Sequence, residues 1–168
     1  MNELKLSKYE NAVLYLCSKI KDQSIRGKKK LAKLLYYVDF DRFEFNESME
    51  TITGDSYTRL PMGPVPSSMD SVLAGMSKKG TLSVSSVNEY EGYNPTTVYQ
   101  ARVEPDMSLF DEQDTAILKR VERRYLNLTG KQLENLSHEE APWLAVDHRG
   151  IIPFELAFYR DTDFSNAA

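Results

Sequence analysis

A chain of 168 residues, 41% hydrophobic and 27% charged, has the balance of one folded domain and excludes both a disordered chain and two domains of ordinary size. A formal net charge of −4 excludes a dominant electropositive face, so nucleic acid is not an expected partner. A single cysteine, Cys17, excludes an intramolecular disulfide or a multi-cysteine zinc site and fits a reducing compartment. No stretch approaches the ~20 apolar residues of a membrane span, and Met1-Asn2-Glu3-Leu4-Lys5 lacks the apolar core of a signal peptide. The expectation is a cytoplasmic protein with no membrane contact.

In chain order, Ser7 and Glu10 have capping-box spacing, and Tyr9, Ala12, Val13, Leu16, Cys17 and Ile20 then recur at helical spacing. Cys17 lies on that stripe and is read as a buried structural thiol. A turn over Asp22 to Gly27 leads into a second helix, whose basic opening, Arg26-Gly27-Lys28-Lys29-Lys30, is read as a solvated helix start. Leu31, Leu34, Leu35 and Val38 share one face of it. Tyr36, Tyr37, Phe40, Phe43 and Phe45 broaden that face, so the helix is expected at the centre, contacted from several sides. Asp39 and Asp41, two apart, do not share a face and are read as solvated.

Gly54 to Leu60 reads as a short extended piece stopped by Pro61, with Gly63, Pro64 and Pro66 fixing an irregular turn. A helix follows, with Ser67 as N-cap, Asp70 in the first turn, Val72, Leu73 and Met76 on its apolar face, and Gly80 ending it. Leu82 to Val87 and Thr97 to Val103 alternate as two strands of a hairpin with a long connection. Asp111, Glu112 and Asp114 open a helix that Lys119, Arg120, Arg123 and Arg124 close, in the charge order that suits its dipole. Thr129 with Gln132, and Ser137 with Glu140, predict two successive capped helices, and a last helical piece runs from Phe154 to Tyr159 after Pro153. The fold class is α+β, one mostly helical domain over residues 1–168 with a small antiparallel hairpin or short sheet.

Catalytic and metal chemistry find no foothold. His138-Glu139-Glu140 begins like a zinc-protease helix, but H-E-x-x-H needs a second histidine where Pro142 stands. No phosphate-cradling glycine motif or nucleophile elbow occurs. Neither a catalytic residue nor a cofactor or metal is nominated.

Three segments in order, Lys30-Leu31-Ala32-Lys33-Leu34-Leu35-Tyr36-Tyr37, Leu60-Pro61-Met62-Gly63-Pro64-Val65-Pro66 and Leu136-Ser137-His138-Glu139-Glu140-Ala141-Pro142-Trp143, carry a resemblance. The closing Phe154-Glu155-Leu156-Ala157-Phe158-Tyr159-Arg160 adds to it. Together they resemble the Panacea (SocA-like, DUF4065) family of antitoxin domains, which includes phage-associated relatives. Met62 departs from the pattern, standing where an aromatic commonly precedes Gly-Pro. The resemblance implies an antitoxin that binds a cognate protein toxin, encoded by an adjacent gene, and suppresses it. It implies motif positions Lys33, Leu34, Tyr36, Gly63, Pro64, Ser137, His138, Pro142 and Trp143. These are read as structural: Gly63 and Pro64 set backbone geometry, Leu34 and Tyr36 pack, and His138 with Trp143 form a buried, hydrogen-bonded cluster joining the two ends of the chain. Partner contact falls instead to exposed positions such as Tyr90 and Tyr93 in the 88–96 loop, unless those rings anchor the loop. Two other functions stay open: an adaptor delivering a bound protein to a protease, and a hydrolase using His138. Oligomeric state stays open too.

Overall fold

The second helix of the chain, Lys28–Glu44, is buried at every position from Leu31 to Phe43, so it runs through the middle of the molecule as the breadth of its apolar surface predicts. The structure, a computed structural model, describes residues 3–165. Residues 1, 2 and 166–168 of the single-domain expectation, and with them the first two of the opening segment, lie outside the described residues.

Around this helix, α2, the chain lays out α1 (Leu6–Ser18), β1 (Ser24–Arg26), β2 (Tyr57–Leu60), β3 (Gly63–Pro66), α3 (Met69–Lys79), β4 (Leu82–Val87), β5 (Thr96–Ala101), α4 (Glu112–Tyr125), α5 (Gly130–His138), α6 (Ala141–Leu144) and a 3-10 turn over Phe154–Arg160. The architecture is α+β, with an antiparallel three-stranded sheet ordered β1-β5-β4 and a separate β2-β3 hairpin. The hairpin, α4, α5 and the 3-10 turn pack against α2, while α1 and α3 cover one face of the larger sheet. Tyr36, Phe40, Tyr57 and Phe154 pack ring to ring where these layers meet.

Several expectations are met by local chemistry. Thr129 with Gln132 forms the expected reciprocal capping box at α5, and the acidic opening of α4 is in place, with Asp111 and Asp114 forming a further capping box beyond that expectation. Gly80 closes α3 in the left-handed conformation, φ 80°. Cys17 is fully buried, donates to the Tyr99 carbonyl at 3.5 Å and has its thiol pushed up to about 12 by burial.

Other expectations are corrected. α1 starts before Ser7, with Lys5 at its N-cap and no side-chain cap. The Lys5 N–H is held by the Thr53 carbonyl, and Glu10 pairs with Lys79. Part of the Asp22 to Gly27 turn is strand β1, paired with β5 in a register of Ile25 opposite Tyr99. Gly63 to Pro66 is not an irregular turn but strand β3. Arg59 donates its N–H to Gly150 and the Tyr57 carbonyl accepts from Ile152, so both turn their backbones away from β3. Their partners, Pro64 and Pro66, therefore sit where no N–H is needed. The N-cap of α3 is Ser68, whose N–H is taken by the Asp55 carboxylate at 2.9 Å. Ser137 lies inside α5, and Glu140 precedes α6 without capping it through its side chain.

Asp39 and Asp41 are the largest correction, because both are fully buried. A helix surrounded on all sides has no solvated face, so its carboxylates must find partners inside. Asp39 accepts from the backbone N–H groups of Ile52 and Thr53, the Thr53 hydroxyl and the Tyr57 hydroxyl. Asp41 pairs with Arg120 at 3.3 Å and Arg160 at 2.8 Å.

Candidate functional site

The three motif segments, far apart in sequence, converge on the β2-β3 hairpin. Lys33 projects from α2 with 1% of its surface exposed and donates to the Pro64 carbonyl at 2.9 Å. Burial pulls its ammonium down to about 8, opposed by the nearby Glu134 carboxylate and assisted by Lys29. Gly63 makes room for this contact. A Cβ there would lie 2.3 Å from Lys33 Cε and 3.0 Å from Ser137 Oγ, and its φ of +115° is one that side chains rarely adopt. Ser137, fully buried, gives its hydroxyl to the Glu134 carbonyl at 3.0 Å.

The hairpin's far side is gripped by α5 and α6. Trp143 Nε1 donates to the Leu60 carbonyl at 3.0 Å, and its ring is sandwiched between His138, stacked at 4.0 Å, and the Arg59 guanidinium, 4.0 Å from the ring centre. Arg59 also donates to the Val146 carbonyl. His138 and Trp143 are half-buried rather than buried, so the cluster forms a lid on the hairpin and not a core. Burial lowers the His138 imidazole below its usual range, with the Glu134 carboxylate and the nearby Pro61 carbonyl opposing. Its Nε2 is buried without a hydrogen-bond partner among the described residues, so no hydroxyl or thiol stands ready there as a nucleophile. Pro142 begins α6, where its missing N–H costs nothing, and is buried. Met62 occupies the turn of the hairpin, 57% exposed, so the position of the departing residue lies outside the packed contacts.

A second knot lies one turn further along α2. Tyr36 donates to Glu140 at 2.6 Å and Tyr37 to the other oxygen of the same carboxylate at 3.3 Å. Arg160, its side chain only 3% exposed, reaches Asp41, Glu44 and Glu140. Burial works against its charge, but Asp41, Tyr36, Glu140 and Glu44 outweigh it and hold the guanidinium protonated. Burial raises Glu140 above the ordinary carboxylate range, with Arg160 and the Tyr36 hydroxyl opposing. Leu34, also a motif position, is fully buried in the core.

Lys33, Leu34, Tyr36, Gly63, Pro64, Ser137, His138, Pro142 and Trp143 thus form one connected framework. Sequence reasoning missed its polar fasteners, Arg59, Asp41, Glu140 and Arg160. For Asp41 the signal was the breadth of apolar surface on α2, which obliges a polar residue on it to be buried and paired, whereas Arg59, Glu140 and Arg160 lie on other segments and gave no local signal. Tyr90 and Tyr93 lie elsewhere, in the β4-β5 connection, 67% and 76% exposed and, among the described residues, in edge-to-face ring contact with each other alone at 6.2 Å. They do not anchor the loop. That role belongs to the Arg26–Glu89 ion pair. Among the described residues no group of three or more histidine, cysteine or acidic side chains is arranged to hold a metal ion, and no helix is long and apolar enough to cross a membrane.

A family model described as "Antitoxin SocA-like, Panacea domain" matches residues 31–144, from the first turn of α2 to the end of α6. The match spans the interlocked framework and covers more than half of the chain. The chain belongs to the SocA-like Panacea antitoxin family. No curated protein and no solved structure matches it.

Proposed function

We propose that this chain is the antitoxin of a toxin–antitoxin pair, acting in the cytoplasm as a single domain over residues 1–168 and silencing a cognate protein toxin, encoded by an adjacent gene, by direct binding. The observation that carries the reading is family membership over residues 31–144. Lys33, Tyr36, Ser137 and Trp143 spend their polar groups inside the domain, which supports a structural role for the motif and leaves toxin contact to other surfaces. Tyr90 and Tyr93 suit that contact. Two exposed aromatic rings on a loop offer large area at small entropic cost. Neutralisation by binding asks for no catalytic residue and no cofactor.

Co-expression with each neighbouring gene tests this. The expected outcome is one neighbour whose growth inhibition is relieved and which co-purifies as a stable complex. Failure of every neighbour to be neutralised and retained would overturn the proposal.

A further inference from the structure

Among the described residues the strands at the margins of the two sheets are treated differently. β3 carries Pro64 and Pro66, and β1 is three residues long and carries Arg26, two ordinary ways of discouraging another strand. β4 has neither protection. Leu82-Ser83-Val84-Ser85-Ser86-Val87 contains no charge and no proline, and it pairs with β5 residue for residue without a bulge.

The backbone of β4 points outward at defined positions. Ala101 donates to Gln23 and Thr97 accepts from Gly27, so residues 97, 99 and 101 of β5 address the β1 side. Thr96, Val98 and Gln100 therefore address β4, in agreement with the bond from Arg102 to the Thr81 carbonyl. By alternation the N–H and C=O groups of Leu82, Val84 and Ser86 face the open edge, with no further backbone partner among the described residues. Val84 is 42% exposed and lines a shallow groove along the same edge, with Leu73, Ala74 and Tyr99 as its apolar part and Asp70, Ser77 and Lys78 at its polar side.

We infer that this edge pairs with β4 of a second copy of the chain, antiparallel about a two-fold axis through Val84, joining two three-stranded sheets into one of six. Leu82 of each copy then meets Ser86 of the other, and every outward backbone group finds a partner. Charge selects this occupant. Lys78 and Lys79 precede the strand, and Glu89 and Glu91 follow it. Antiparallel pairing brings the basic end of one copy to the acidic end of the other, whereas parallel pairing would set like charges together. Lys79 and Glu89 already hold Glu10 and Arg26 within the chain, but Lys78 and Glu91 are exposed and make no ion pair among the described residues. They are the pair that remains for the contact between copies.

Sedimentation velocity and light scattering on the full chain, from micromolar to sub-millimolar concentration, test the assignment. The wild type is expected to be a concentration-dependent dimer. Val84→Pro removes an outward N–H without touching the bonds to β5 and is expected to weaken the dimer about tenfold or more. Lys78→Glu and Glu91→Lys alone are each expected to weaken it about fivefold to tenfold, because each turns two symmetry-related attractions into repulsions, and the double swap should restore it. Circular dichroism establishes that each variant folds. Should Val84→Pro unfold, the charge swaps on exposed residues decide the question. A wild type that stays monomeric overturns the inference, as does a dimer indifferent to both kinds of change. A monomer whose toxin complex is lost on Val84→Pro also overturns it and gives the edge to a strand of the toxin.

Discussion

The two ends of the molecule are built on opposite plans. Around α2, polar groups are buried and each contact depends on a distant one: Lys33 on Pro64, Trp143 on Leu60, Arg160 on Asp41. At the β4-β5 end, side chains from Val84 to Tyr93 lie largely open, and the ties back to the domain are the Arg26–Glu89 ion pair and the strand ladder. A substitution in the first region must be answered by several partners at once, whereas the second can change without disturbing the core.

The contrast breaks most visibly at Arg160. Arg160→Ala leaves Asp41, Glu44 and Glu140 close together with Arg120 as the remaining nearby cation, and a buried charge cluster stripped of its centre costs about 3–5 kcal/mol. Equilibrium denaturation checks this. A loss below about 1 kcal/mol would mean the cluster is hydrated and the framework less closed than described.

Gly63→Ala is expected to cost about 2–3 kcal/mol, from a positive φ and a Cβ driven into the Lys33 stem. Repeated on a Lys33→Ala background, the same change should cost less, since only the φ strain remains. A double-mutant cycle that is additive would show that the two residues do not interlock.

Lys33 also gives the framework a pH signature. Its ammonium is held near pH 8 in the folded state, below its ordinary value of 10.5, so between those limits the unfolded chain binds the proton and the folded chain does not. Stability from this group therefore rises with pH from about 8 toward 10. The wild type should gain on Lys33→Met by about 1–2 kcal/mol between pH 7 and pH 9.5, read as the difference between two denaturation series so that other titrating groups cancel. No gain would mean that Lys33 keeps its proton in the fold.

The smallest effect on stability belongs to the other region. Tyr90→Ala with Tyr93→Ala should move unfolding free energy by no more than about 0.5 kcal/mol, the ordinary range for open surface positions. Toxin affinity measured on the same sample should fall by about 2 kcal/mol or more if this loop carries the contact. Normal affinity would remove the loop from the binding surface.

Features set by a few neighbouring residues were legible in the sequence. The acidic start of α4, the Thr129 capping box, the Gly80 stop and the β4-β5 pairing all depend on chemistry within a short window. Ser7 with Glu10 and Ser137 with Glu140 show the limit of that logic. They have the same spacing, but the first helix is started earlier by a bond from Lys5 to Thr53, and Ser137 is already inside a helix. β1 was missed because three residues become a strand only when β5, more than seventy positions later, lies alongside them. Asp39 and Asp41 were misread for a related reason. Their burial is decided by everything else that packs onto α2, and two carboxylates in a row of aromatics look solvated until those neighbours are in place.

Arg160 also imposes an order in time. It is joined to Asp41 across 119 positions of chain, so during synthesis the carboxylates of α2 wait without their main counter-ion until almost all of the described chain has been made. A nascent chain that stops short of Arg160 already contains the residues of α1 to α6 and β1 to β5, yet leaves Arg120 as the only cation paired with Asp41 among the described residues and leaves Glu44 and Glu140 without their shared guanidinium. Closure of this part of the core is in this way tied to synthesis past residue 160, and fragments ending before it are expected to be more open to proteolysis because of the charge they cannot pair.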